Sequence, residues 1–223
     1  MNICMVPVRK GSVRLPKKNY LKIGNLTVLE ITLQKAIKSE VFDRIVLNTD
    51  DPTLEEVASR QGVDFYLRND DLASSHATSD QVVLDFFNNN EGDRVFWVNT
   101  VSPLQTIGDI KNFVSKGQEV NWKSGVSINS SQVHVLFDND PLNFKWESGF
   151  ARTQDLKAIN CFNYAMMGWH REMLGKLANG QLFDAETSQV ESSQWSSFLL
   201  KNKDDLELIT KLSKVAPDQG LNF

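Results

Sequence analysis

The stretch Arg9-Lys10-Gly11-Ser12-Val13-Arg14-Leu15-Pro16-Lys17-Lys18-Asn19 holds the densest set of groups able to do chemistry. It offers exposed backbone amides at Gly11 and Ser12, a hydroxyl, two guanidiniums and three ammonium groups. Arginine grips a phosphate through two parallel N–H bonds, whereas lysine acts as a point charge. From Met1 to Leu29 there are six Lys/Arg and no Asp or Glu, in a chain of 223 residues whose net charge is −4. The stretch is neither Gly-x4-Gly-Lys-Ser/Thr nor GxGxxG, so no standard phosphate loop is present. Two readings stay open at this point: a polyanion site, or a solvated basic surface loop.

Position in the chain bears on that choice. Asn2 to Val8 is a short apolar run that reads as a buried strand, and the basic loop follows it directly. Thr27-Val-Leu-Glu30 is a capping box opening a helix with an apolar stripe of Val28, Leu29, Ile31, Ala36 and Ile37. Arg44 to Asn48 is the next strand. Asp51-Pro52 supplies an N-cap and an N1 proline for a helix ending at Gly62. Val63 to Leu67 is a short strand, Thr78-Ser-Asp-Gln81 a second capping box, and Arg94 to Asn99 a strong buried strand. A Ser102-Pro103 turn and a helix from Ile107 follow. Strands and helices in alternation predict βαβ units: an α/β fold with a parallel sheet and helices on both faces. Such sheets bind ligands beyond the carboxyl ends of their strands, here the loops after Val8, Asn48, Leu67 and Asn99.

The second half is less regular. Val126 to Phe137 reads as strand, Asp138-Asn-Asp-Pro141 as a turn, Leu142 to Ala151 as a hairpin arm around Ser148-Gly149, Asn163 to Trp169 as strand and Asp204 to Leu212 as helix. With no repeat or linker, residues 1–223 are expected to form one domain with an irregular insertion at about 130–165.

Composition removes other classes. At 41% hydrophobic and 23% charged residues the chain can bury a full core. No apolar stretch approaches the roughly 18 to 20 residues of a membrane span. The apolar start is followed, not preceded, by its charges, opposite to a secretory signal, so a cytoplasmic location is expected. Cys4 and Cys161 form no disulfide scaffold and no zinc spacing. The acidic balance argues against general nucleic-acid binding.

The loop from Pro7-Val8-Arg9 through Lys18-Asn19 is similar to the N-terminal motif of the acylneuraminate (sialic acid) cytidylyltransferases and their ketodeoxyoctulosonate relatives, roughly Pro-Ala-Arg-x-x-Ser-x-Arg-Leu-Pro-x-Lys-Asn. The likeness continues in order. Phe42-Asp43-Arg44-Ile45-Val46-Leu47-Asn48-Thr49-Asp50 resembles "FDRIVVSTD", and Leu67-Arg68 to Leu72-Ala73 and Thr78-Ser79 resembles "LRPAELA…SS". Val98-Asn99 through Leu104-Gln105-Thr106 resembles "LQPTSPLRT", and Asn160 and Tyr164 match the ends of "NGAIY". The resemblance implies a Rossmann-like, mostly parallel sheet of the nucleotide-diphospho-sugar transferase type. It also implies transfer of CMP from CTP to an acidic keto-sugar with release of pyrophosphate, for surface polysaccharide assembly. On that likeness Arg9, Gly11, Ser12, Arg14, Lys18 and Asn19 would cradle the triphosphate, with Lys18 on the leaving pyrophosphate. Arg68 and Ser79 would reach the nucleotide, and Asn99, Gln105, Asn160 and Tyr164 the sugar acid. A homodimer through the 130–165 segment, and magnesium on the phosphates, are implied as well.

The chain departs from the motif at several points. The Asp-x-Asp pair that holds magnesium in the family falls on Leu199 and Lys201, and neither is an oxygen ligand. Gln105 stands for the arginine of "SPLRT", Asn99 for the glutamine of "LQP", Ser75-His76 for an Asp-Thr pair, and Cys161-Phe162 for a small Gly-Ala. Three accounts stay open: Asp204 or Asp205 supplies a metal ligand, Lys201 replaces the metal with a fixed ammonium, or the site binds without turnover. Asp204 and Asp205 also suit helix capping, as Asp50 and Asp51 do. His76 reads as solvated, His134 and His170 as packing or surface residues, and Cys161 lacks a histidine partner nearby in sequence.

Overall fold

The first strand, β1 (Asn2–Val8), is apolar on both faces, which only a strand sandwiched between two layers tolerates. Cys4, Val6 and Val8 enter one core cluster, Ile3 and Met5 the other. A two-residue hairpin, β2 (Lys22–Ile23) and β3 (Leu26–Thr27), leads into α1 (Val28–Ser39). The expected capping box is formed: Glu30 donates its amide to Thr27 Oγ1 at 3.2 Å, and the Glu30 carboxylate accepts the Thr27 N–H at 2.9 Å. There follow β4 (Arg44–Thr49), α2 (Glu55–Gln61), β5 (Asp64–Leu67), α3 (Ser79–Asn89), β6 (Arg94–Val98) and α4 (Ile107–Glu119). Gly62 ends α2 in the left-handed region at φ 70°, where a side chain would be strained.

The remainder comprises β7 (Ser124–Ser131), the short pair β8 (Leu136–Phe137) and β9 (Asp140–Pro141), β10 (Ile159–His170), α5 (Leu174–Ala178), β11 (Ser188–Glu191) and α6 (Lys203–Leu212). This computed structural model describes residues 1–11, 15–147, 149–216 and 218.

The main sheet has the order β11-β7-β10-β6-β1-β4-β5. The strands β5, β4, β1 and β6 are parallel, β10 runs against its neighbours β6 and β7, and β11 is again parallel to β7. The α/β expectation therefore holds, with one reversed strand. Helices α1, α2 and α4 pack on one face; α3 and α5 cover the other. A third cluster, with Leu15, Ile23, Val28, Leu104, Leu200 and Ile209, lies beneath the basic loop and seats α6. Among the described residues no helix is long and apolar enough to cross a membrane.

Two expectations change. The strand expected over 126–137 ends at Ser131, because the Asn143 amide takes over the bonding of the next backbone: Nδ2 donates to the carbonyls of Val133 (2.8 Å) and Lys157 (2.9 Å), and Oδ1 accepts the Val135 N–H. The turn expected at Asp138–Pro141 is present, with Asp138 and Asn139 at positive φ between β8 and β9, but the hairpin arm expected over Leu142 to Ala151 is not strand among the described residues. Trp122 is a core ring. A Cβ added to Gly117 or Gly125 would fall 2.6 Å and 2.9 Å from its indole, and Gly168 of β10 closes on it from the third side.

Candidate functional site

Because β1 is flanked by β4 on one side and β6 on the other, the chain leaves it in two directions and opens a crevice beyond its carboxyl end. Arg68, just after β5, lies there with its side chain only 5% exposed. Its Nη2 donates to the Val8 carbonyl at 3.1 Å and lies 3.6 Å from Asp50, and Nη1 reaches the Asn48 amide oxygen at 3.4 Å. Its Nε is buried without a hydrogen-bond partner. Burial pulls the guanidinium below its ordinary pKa; Asp50 opposes this, and the neighbouring Arg9 adds to it. Two like charges held together, one desolvated and with a free donor, make a place that an anion stabilises.

The described residues of the basic loop are fastened near this end of the sheet. Lys10 donates its amide to Asp50 at 2.9 Å and places its ammonium 3.8 Å from Asp51. Gly11 is exposed, and Lys18 and Asn19 open a single 3-10 turn after Lys17, which is left-handed at φ 55°. Tyr20 donates its hydroxyl to Asp51; burial first, then this bond, pushes the phenol up to about 12. Asn19 is buried and accepts the Thr100 hydroxyl at 2.8 Å, fastening the basic loop to the segment after β6. Ser12 and Arg14 lie outside the described residues.

The segment from Asn99 to Thr106 is bonded to β10, α1, the basic loop and the chain around 196–200. The Asn99 N–H donates to the Ala165 carbonyl of β10, the Ser102 hydroxyl to Ser196, and the Leu200 N–H to Val101 at 2.7 Å. Lys35 of α1 donates its ammonium to the carbonyls of Pro103 (2.9 Å) and Gln105 (2.7 Å). Asn99 is half-buried, and Gln105 is 3% exposed. The Asp109 carboxylate accepts from Ser193 and Ser196, bonds that outweigh burial and keep it below the usual carboxylate range.

The far wall is β10, which overshoots the end of β6. Asn160 is exposed and donates to Gln189 at 2.8 Å. Tyr164 is exposed at φ 56°, inside a register slip between Phe162 and Met167, and its ring meets Phe162 edge-on at 6.1 Å. Between them Asn163 is buried, accepting from Ser127 and donating to Asn129 and Ser192, so the bulge is fixed from beneath. Ser79 begins α3, beside the loop that carries Arg68. The structure thus brings Arg9, Lys18, Asn19, Arg68 and Asn99 to one end of the sheet, with Asn160 and Tyr164 on its β10 border.

Thr100, Asn48, Asn163 and Lys35 have parts in this site that the sequence reading missed. Only Lys35 left a signal: it interrupts the stripe Ile31–Lys35–Ser39, spaced four apart on the buried face of α1.

Segment 199–201, which carries Leu199 and Lys201, is fastened to the segment after β6 by the Leu200–Val101 bond. Asp205 serves α6: one carboxylate oxygen accepts the Asn202 amide at 2.9 Å in the capping box and the Lys201 amide at 2.8 Å. Among the described residues no group of three His, Cys, Asp or Glu gathers. The donor set of this segment does not fit magnesium, which takes oxygen ligands.

A mostly parallel sheet with this switch point at β1 defines a Rossmann-like α/β fold. Residues 3–173 match the family model described as Cytidylyltransferase, and the chain belongs to that family. It is similar to an N-acylneuraminate cytidylyltransferase of Streptococcus agalactiae, 29% identical over 135 residues, covering 59% of this chain and 33% of that protein. A pseudaminic acid cytidylyltransferase of Campylobacter jejuni is 34% identical over 83 residues, 37% of this chain and 36% of that one. The chain therefore spans about a third of the length of these curated relatives. Among solved structures, a CMP:2-keto-3-deoxy-manno-octonic acid synthetase complexed with CTP superposes with a TM-score of 0.71 at 13% identity, covering 96% of this chain and 98% of that chain. A 4-diphosphocytidyl-2C-methyl-D-erythritol synthase of Anaerococcus prevotii gives 0.68 at 11% identity, with coverage of 96% and 98%. These likenesses share the fold.

Proposed function

We propose that this chain transfers CMP from CTP to the anomeric hydroxyl of an acidic keto-sugar of the sialic-acid or ketodeoxyoctulosonate type, releasing pyrophosphate. The observation that carries the reading is the buried Arg68 at the end of β1, with Arg9 close enough to act on its charge. The printed names of the relatives, N-acylneuraminate and pseudaminic acid cytidylyltransferase, supply the acceptor class.

In the reaction the sugar oxygen attacks the α-phosphorus, its proton leaves to water, and the bond to the β-phosphate oxygen breaks. Little covalent chemistry falls to the protein, so catalysis is positioning plus charge stabilisation. Arg9, Lys18 and the Gly11 amide hold the phosphates, with Ser12 and Arg14 assigned by sequence alone. Lys18 takes charge from the departing pyrophosphate, and Asn19 orients phosphate or ribose. Arg68 and Ser79 reach the nucleotide. Asn99, Gln105, Asn160 and Tyr164 border the sugar acid. Lys201 supplies a fixed cation on the segment that has no magnesium donors. Magnesium is then a companion of CTP rather than a guest of protein carboxylates. The exposed Phe137, Trp146 and Phe150 of the insertion are proposed to pack against a second copy, making a homodimer that works in the cytoplasm on sugars for surface polysaccharide.

A second reading, nucleotide binding without turnover, draws on the same poor donor set at Leu199 and Lys201. One experiment separates the two. Protein given CTP, magnesium and a panel of keto-sugar acids is expected to release pyrophosphate, with calorimetry showing CTP preferred over ATP, GTP and UTP. CTP binding with no pyrophosphate across the panel would favour binding alone, and equal binding of all four nucleotides would remove the cytidine assignment.

A further inference from the structure

Lysine is rarely fully buried without partners, yet Lys35 is 3% exposed in the middle of α1. Its ammonium does not complete α1 but crosses to the loop after β6, donating to the carbonyls of Pro103 and Gln105. That loop lies between β6 and α4, outside any strand ladder or helix, so its buried carbonyls need partners from elsewhere. Asp109 of α4 and Asp218, which accepts the Ile107 N–H at 2.8 Å, face the lysine and favour its charge, while burial pulls its pKa down to about 8.

The same loop carries Thr100, bonded to Asn19 of the basic loop, and Asn99 and Gln105 on the proposed acceptor side. We infer that Lys35 is a positioning residue: through the Pro103 and Gln105 carbonyls it sets the distance between the nucleotide-holding loop and the acceptor-holding loop. The kinetic part of this inference rests on the proposed function. Loss of the amine strands two buried carbonyls and lets the loop open, while the cations on the phosphates stay in place. The defect should therefore fall on the step that needs both substrates aligned, not on CTP binding.

The test uses the full chain with Lys35→Met and Lys35→Ala. CTP affinity by calorimetry is expected to stay within about threefold, while kcat falls by about tenfold or more, as expected for a lost alignment of substrates. Amide exchange at Val101, Ser102 and Gln105 is expected to speed by about tenfold, the loss of roughly one buried hydrogen bond's worth of protection. Added n-propylamine should restore both turnover and protection in Lys35→Ala, which a general loss of stability would not allow. Unchanged exchange in this loop, an equal fall in CTP affinity and turnover, or no amine rescue would each overturn the inference. If Lys35→Met does not fold, Lys35→Gln, which keeps a donor, takes its place; failure of both to fold would make the lysine a stability element and end the proposal. If the unaltered protein transfers no CMP, the proposed function falls, while exchange and its rescue by amine still decide the role of Lys35.

Discussion

The two halves of the molecule meet at the crevice but are built differently. On the β1 side, parallel strands end near cations, and polar groups are tied down: the Arg68 guanidinium by Val8 and Asn48, the Lys10 backbone amide by Asp50, and the Asn19 side chain by Thr100. On the β10 side the chain runs backwards, slips register and shows rings to solvent. Among the described residues the exposed aromatics Phe137, Trp146, Phe150, Phe162 and Tyr164 all lie between 137 and 164. A charged ligand of fixed shape needs donors held in advance, because preorganised dipoles do not have to reorganise when charge develops. The other half carries features suited to a variable acceptor and to a neighbouring protein surface.

Arg68→Met is the harshest test of that contrast. It removes the buried guanidinium proposed to meet the nucleotide, and CTP affinity is expected to fall by about a thousandfold, within the range for truncating one partner of a buried charge pair across a binding interface. Unchanged CTP binding in calorimetry would show that the tied-down charges are not the nucleotide site.

Next in size is the pH dependence of Lys35. Its folded pKa of about 8 lies below the ordinary 10.5. The folded state therefore gives up its proton first, and stability should rise as pH climbs from 8 towards 10.5. The gain is about 3 kcal/mol at most, at 1.36 kcal/mol per unit. Urea unfolding at several pH values, compared with Lys35→Met to cancel the tyrosines, checks this. Parallel curves for the two proteins would mean that the amine is not perturbed by burial.

Phe150→Asp should do least. It is expected to weaken self-association by about tenfold, as for one well-buried aromatic contact at an interface, with CTP affinity untouched. Sedimentation showing the same oligomer before and after would remove the insertion as the contact surface.

Legibility in the sequence follows the same division. Strands β1, β4, β5 and β6 and the capping boxes of α1 and α3 were readable because their signals are local: an apolar run, a Thr with Glu or Gln three residues on. The cationic loop was readable because like charges without acids stand out in an acidic chain. Where β7 stops was not, since Asn143 decides it from twelve residues beyond Ser131 through three bonds to distant backbone. Nor was β11, four residues long and held by pairing with β7 some sixty positions earlier. Sheet pairings of that range, and hubs such as Asn163 and Lys35, depend on what the fold brings near and leave only faint periodic traces.

The glycine-lined seat of Trp122 carries a consequence for how this protein can vary. Its indole fills the room left by Gly117, Gly125 and Gly168, which sit on α4, β7 and β10. One ring therefore sets the spacing of a helix and two strands. A methyl group gained at any of the three sites collides with it, and a smaller ring leaves a void that none of them can fill. These four positions should be inherited as a block: in a mutational library, single changes among them are depleted, and survivors pair a smaller residue at 122 with a larger one at 117, 125 or 168.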